Sequence, residues 1–240
     1  VYLVRHRILD VYRVAKIFSG NQQDARRLMK EAHLIKNLKH PHIPVIYDIE
    51  QNIGEDNDSI CIIEEYIDGK SLRQYVHDET DTRGYLSVHE ICRIGIELCC
   101  ILEYLHGYNG NGILHMDIKP DNIMLDKDGK VKLIDYDNAV EGNAGLTVES
   151  GSPLYAAPEQ YNREKAVIQS DIYSLGMVIL FMVSHGHIVT DENHKLSEIS
   201  SRYSSLYHVI NKSLHHEWGL RYSSVTYLKQ ELQSIMNWGG

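Results

Sequence analysis

The chain has 240 residues, enough for one or two domains with a sizeable buried core. Hydrophobic residues make up 43% and charged residues 24%, which excludes disordered and collagen-like classes. A formal net charge of −9 gives no global basic field, so neither nucleic acid nor an anionic membrane is expected as a partner.

Cys61, Cys92, Cys99 and Cys100 form no C-x-x-C metal pair, and free thiols in a reducing, cytoplasmic compartment are expected. The fourteen histidines give no metal set either: His215 and His216 are adjacent, and His185 and His187 lack a third ligand nearby. The longest apolar stretch, from Ile172 to Val183, falls far short of the ~20 residues that span a bilayer. No secretory signal is visible, and the chain opens in a strand-like run, as a fragment of a longer protein would.

In chain order, residues 1–7 and 11–18 read as a β-hairpin turned at Ile8, Leu9 and Asp10. Apolar residues at Leu28, Met29, Ala32, Ile35 and Leu38 follow the helical period until His40 and Pro41 stop it. Residues 45–49 and 60–65 read as two more strands, separated by a polar turn cluster over 54–59. Beyond Asp68 and Gly69 the pattern turns helical. Val88, Ile91, Ile94, Leu98, Leu102 and Leu105 form one buried stripe, introduced by Ser87 and Glu90 at capping-box spacing. Short strands over 123–125 and 131–134 flank a turn, residues 138–157 read as a loop, and residues 171–183 form a helix apolar nearly all round. The expected class is α+β, with a small β-rich lobe holding one helix and a larger helical lobe, hinged at Asp68 and Gly69.

The strongest chemical signal is His115-Met116-Asp117-Ile118-Lys119-Pro120-Asp121-Asn122, followed by Asp135-Tyr136-Asp137. Phosphoryl transfer needs a carboxylate that orients the acceptor, a cation near the moving phosphate and oxygen ligands for a divalent metal. Asp117, Lys119, Asn122 and Asp135 are residues of those types, with Asn122 and Asp135 at the ends of adjacent short strands.

On these motifs the sequence resembles the eukaryotic-like serine/threonine protein kinase family over essentially its whole length. The resemblance implies one catalytic domain over 1–240, with an N-terminal lobe over 1–68 and a C-terminal lobe over 69–240. It implies Asp117 as catalytic base, Lys119 on the γ-phosphate, Asn122 and Asp135 on Mg²⁺ or Mn²⁺, ATP as phosphate donor and a protein Ser or Thr hydroxyl as acceptor. Lys16 is similar to the family's phosphate-binding lysine, with Glu31 as its helix-borne partner. Val1, Val14 and Met124 would then enclose the adenine, and backbone groups of Glu65 and Ile67 would hydrogen-bond it. Ser152 matches a residue that braces Asp117 and Lys119. Glu159, Asp171 and Arg221 match structural charges of the large lobe, with Glu159 paired to Arg221. The runs 120–125 and 156–161 are similar to bacterial members.

The chain departs from the family pattern at four places. Val1 and Tyr2 align just past the third glycine of the phosphate loop, Met116 replaces an arginine, Asp137 replaces a glycine, and Glu64 stands where an apolar or small hydroxyl residue guards the rear of the pocket. Two functions remain open on this pattern, an active kinase and a kinase-like module that binds nucleotide or scaffolds partners. A small-molecule phosphotransferase is disfavoured by Lys119-Pro120, by Ala157-Pro158-Glu159 and by residues 171–176.

Overall fold

The computed structural model describes residues 1–18, 29, 32–51, 59–142, 152–162, 164–187 and 201–238. Strands β1 (Tyr2–His6) and β2 (Val11–Phe18) form the expected hairpin. Asp10 closes its turn with φ 57°, a conformation that aspartate tolerates better than branched residues. With β3 (Ile46–Gln51) and β4 (Ile60–Glu65) they build one antiparallel sheet in the order β1-β2-β4-β3. Lys16 lies opposite Ile62, and Val14 opposite Glu64. Residues 32–35 are helical. Ala32 packs there against Ile62, with Phe18, Ile46, Ile49 and Ile60 around it. Glu31 lies outside the described residues.

After Glu65 the chain leaves this sheet. β5 (Gly69–Ser71) pairs instead with β7 (Ile123–Asp126), which pairs with β8 (Val131–Leu133). A Cβ on Gly69 would sit 1.9 Å from the Leu125 carbonyl oxygen, so this crossing admits no side chain. Helix α1 (Leu72–Arg83) follows, with a capping box between Ser71 and Gln74.

Helix α2 (Val88–His106) carries the expected Ser87 and Glu90 capping box and buries its stripe of Ile91, Ile94, Leu98, Ile101, Leu102 and Leu105. It packs against α4 (Ile168–Val183) and α6 (Val225–Trp238). Most of α4 is buried, as its all-round apolar character demands, and it starts three residues before the expected Asp171. Short helices α3 (Pro158–Tyr161) and α5 (Tyr207–Ser213) complete the helical half.

One expectation needs correction. Within the expected 138–157 loop, β9 (Val140–Glu141) pairs with β6 (Ile113–Leu114). A two-residue strand is too short to show an alternation in sequence. Among the described residues no helix is long and apolar enough to cross a membrane.

Candidate active site

Residues 115–119 run from β6 into a 3₁₀ turn, Pro120–Asn122, that delivers the chain to β7. The loop is held from beneath by Asp171 of α4, which is 0% exposed. Its carboxylate accepts from the backbone N–H of His115 (3.0 Å) and Met116 (2.9 Å) and pairs with His106 Nε2 (2.9 Å). Burial works to raise the Asp171 pKa, but His106 and these donors outweigh it and hold the group below its ordinary value. Met116 adopts φ 65°, and its carbonyl accepts from Gln160 Nε2 at 3.0 Å. Its side chain is buried with Leu114, Val140, Ala166 and Ile168. His115 is fully buried against the Tyr136 ring, 4.8 Å between centroids, and burial pushes its pKa down.

The loop brings four predicted residues together. Lys119 Nζ donates to Asp117 Oδ2 at 2.8 Å and to Ser152 Oγ at 2.7 Å. The Ser152 backbone N–H donates to Asp117 Oδ1 at 3.0 Å. Asn122 Nδ2 donates to the Asp117 carbonyl (2.9 Å) and to Asp117 Oδ2 (3.2 Å). Desolvation disfavours the Asp117 charge, yet Lys119 and Ser152 more than offset it, so the carboxyl titrates below its usual range.

Asp135 follows β8 with φ 65°, and the neighbouring Ile134 N–H donates to the Asn122 carbonyl at 2.8 Å, tying the two strand ends together. Among the described residues, no donor reaches the Asn122 amide oxygen, and no hydrogen bond or ion pair engages the Asp135 carboxylate. These are hard oxygens without internal partners, and they fit a small divalent cation that completes its shell with water and phosphate oxygens.

Between the two sheets lies an open cleft of about 370 Å³. The predicted Val1, Val14, Lys16, Glu65, Ile67, Met124 and Asp135 all line it. So do Phe18, Pro44, Glu64, Tyr66, Ile134 and Asp137, of which only Glu64 and Asp137 drew attention in the sequence. Lys16 Nζ lies 3.0 Å from Glu64 Oε1. The Glu65 backbone N–H is spent on the Val45 carbonyl at 2.9 Å, so any adenine contact from Glu65 falls to its own carbonyl. The Glu65 side chain pairs with Lys132 of β8.

Away from the cleft, Arg221 donates Nη1 and Nη2 to the two oxygens of Glu159 at 2.7 and 2.9 Å. Its remaining N–H groups reach the carbonyls of His215, Gln169 and His216, so the buried guanidinium is fully satisfied. Ser170 Oγ also donates to Glu159 at 2.7 Å. Three participants escaped the sequence reading: His106 and Gln160, which hold the loop, and Arg73, whose Nε and Nη2 grip Asp121 at 2.7 Å each. Arg73 and Gln160 are joined to the loop, and His106 to Asp171 beneath it, across more than forty positions, and no local pattern marks such a pairing.

A profile of the protein kinase domain matches residues 1–238. The chain belongs to the protein kinase domain family. Members of this family use ATP and Mg²⁺ and act on proteins. A probable serine/threonine-protein kinase of Clostridium perfringens is 32% identical over 192 residues, covering 77% of this chain and 26% of that protein. Serine/threonine-protein kinase PrkC of Bacillus subtilis is 32% identical over 205 residues, covering 82% and 30%. Sperm motility kinase 2A of Mus musculus is 32% identical over 187 residues, covering 77% and 35%. The kinase domain thus spans between a quarter and about a third of the relatives it matches.

Proposed function

We propose that this kinase domain transfers the γ-phosphate of ATP to serine or threonine hydroxyls of a protein, in the cytoplasm. The observation that carries this reading is the Asp117, Lys119 and Ser152 cluster beside Asn122. We take residues 1–68 as the nucleotide-side lobe and 69–240 as the lobe that carries the loop, a division supported by the chain leaving the first sheet after Glu65. Four free thiols, three of them buried, accord with a reducing compartment.

The adenine lies between Val1 and Val14 above and Met124 below, against the linker at Glu65 and Ile67. Lys16 meets the α- and β-phosphates, with Glu31 as a further partner. Asn122 and Asp135 hold Mg²⁺ or Mn²⁺, which when bound supplies positive charge on the phosphate oxygens. The acceptor hydroxyl oxygen bonds to the γ-phosphorus, the bond to the ADP oxygen breaks, and the hydroxyl proton passes to Asp117. A carboxylate with a lowered pKa is a weak base but is always ionised at neutral pH, which suits it to orienting a hydroxyl. Little more is needed, because a loose phosphoryl-transfer transition state depends mainly on positioning and charge. Lys119, fixed by Asp117 and Ser152, stands ready to meet the transferring group. Glu159, Asp171 and Arg221 hold the scaffold and touch no substrate.

The test is Mg²⁺-dependent phosphorylation of a generic basic protein by the full-length chain. Asp117→Asn should lower turnover by about 10²–10⁴-fold while nucleotide affinity stays within about threefold. Full activity in Asp135→Ala would overturn the assignment of the site.

A further inference from the structure

Glu64 is fixed where it stands. It sits near the end of β4, the strand between β2 and β3, opposite Val14 on one side and Ile46 on the other. Directly opposed residues share a sheet face. Residues two apart on a strand share one too. Val14, Lys16 and Glu64 therefore project together into the cleft, and Glu64 is only 7% exposed. Its backbone is paired on both sides, so its side chain enters the cleft from a fixed position. The result is the 3.0 Å ion pair with Lys16. Asp135 and Asp137 line the same cleft and add negative charge around the lysine.

A phosphate group would seek the same ammonium. We propose that Glu64 is an anionic competitor built into the nucleotide site, holding Lys16 until a phosphate-bearing nucleotide shares or displaces the contact. This rests on the reading of the cleft as a nucleotide site, and it holds whatever further partners Lys16 has. A half-buried lysine already neutralised by a carboxylate offers an incoming anion only the difference between two similar interactions. The carboxylate also repels the phosphates directly. Glu64 is thus a positioning residue that tunes affinity for the phosphate part of the ligand and not for the nucleoside part. Burial raises the Glu64 pKa against the pull of Lys16, and Asp135 and Asp137 push in the same direction, which agrees with a crowded anionic site.

The experiment compares ADP with adenosine, both without metal, by titration calorimetry on wild type, Glu64→Gln, Glu64→Met, Lys16→Met and the Lys16→Met/Glu64→Gln double variant. Loss of the Glu64 charge should tighten ADP about tenfold, equivalent to about 1.4 kcal/mol, and leave adenosine within about threefold. Adenosine binding reports an intact cleft in each variant, so a misfolded protein is recognised directly. In the Lys16→Met background the Glu64→Gln gain should shrink to less than about threefold. Competition is overturned if wild type binds adenosine but Glu64→Gln leaves ADP unchanged, or shifts adenosine by the same factor. If wild type binds neither ligand, the nucleotide reading falls and this inference with it.

Discussion

The two sides of the cleft are held in different ways. On the loop side, Asp117, Lys119 and Asn122 sit in a web that reaches into the helical core through Asp171, His106 and Gln160. The ties through Asp171, His106 and Gln160 join groups far apart in sequence, and Asp117 and Asp171 each have several donors. On the sheet side, Lys16 pairs with a carboxylate on the adjacent strand at 3.0 Å. The first arrangement fixes geometry, because moving one member would strip several groups at once. The second leaves the geometry cheap to alter, because two side chains can exchange a partner with no change in the backbone. On the proposed function, chemistry that tolerates little misplacement would stand on the first kind of support, and ligand gripping on the second.

The largest expected effect comes from removing the deepest tie. Asp171→Ala leaves two backbone N–H groups and His106 without their acceptor in a site closed to water. Breaking such a network should cost about 3–5 kcal/mol, read as a fall in the denaturation midpoint, with turnover lost alongside. Glu64→Gln removes a buried charge of similar size, yet its stability should change by less than about 1 kcal/mol. Equal shifts in the two variants would end the contrast between the two sides.

A smaller effect separates the sides by pH. Asp117, Glu159 and Asp171 are all held below their ordinary values in the fold: burial works against their charge, and their donors overcome it. Their contribution is present above the unfolded carboxyl pKa of about 4 and is lost as pH falls through the folded values. Glu64 has the opposite sign, since burial raises it. Its charge costs stability at neutral pH, and that cost fades as acid protonates it, before the other three begin to titrate. Urea unfolding between about pH 7 and pH 3 should therefore show wild type gaining on Glu64→Gln first, with both falling afterwards. A wild-type curve parallel to Glu64→Gln throughout would contradict the raised Glu64 value.

Much of this was legible from sequence where the signal is local. Ser87 and Glu90 announced α2, and its apolar spacing named the buried stripe. Lys16 and Glu64 each stand out by position in the sequence, and the pairing of β2 with β4 brings them to 3.0 Å. Helix α1 leaves little apolar signal in the sequence, because among its residues only Leu72 and Val76 are buried, although Ser71 and Gln74 carry a capping signal. The Arg73 and Asp121 pair was invisible, since 48 residues separate its members and either alone reads as a solvated charge. The spacing of Asp117, Lys119 and Asn122 within one loop gave away the candidate site, while its supports came from elsewhere in the chain.

The smallest expected effect is none at all. In the family pattern that the sequence resembles, an arginine before the aspartate that matches Asp117 pairs with a phosphate on the following segment. Here Met116 occupies the place, and a thioether offers no donor to a dianion. Its side chain is buried with Val140 of β9 on one end of the segment and with Ala166 and Ile168 on the other. Both ends are therefore drawn to the loop by apolar contact, and β9 is fastened to β6 besides. Thr147, Val148 and Ser150, where a phosphate would be sought, lie outside the described residues. A Thr147→Ala/Ser150→Ala double variant and phosphatase-treated wild type should both keep activity within about twofold of the untreated protein, a change of about 0.4 kcal/mol in the barrier. Loss of most activity in both, with untreated wild type unaffected, would mean that a phosphate orders the segment through a cation other than residue 116. Met116→Arg sharpens the same point from the other side. It would place a guanidinium among Leu114, Val140, Ala166 and Ile168 with no carboxylate among them. That substitution should unseat the segment and lower activity, where a phosphate-dependent kinase would instead gain the partner it lacked.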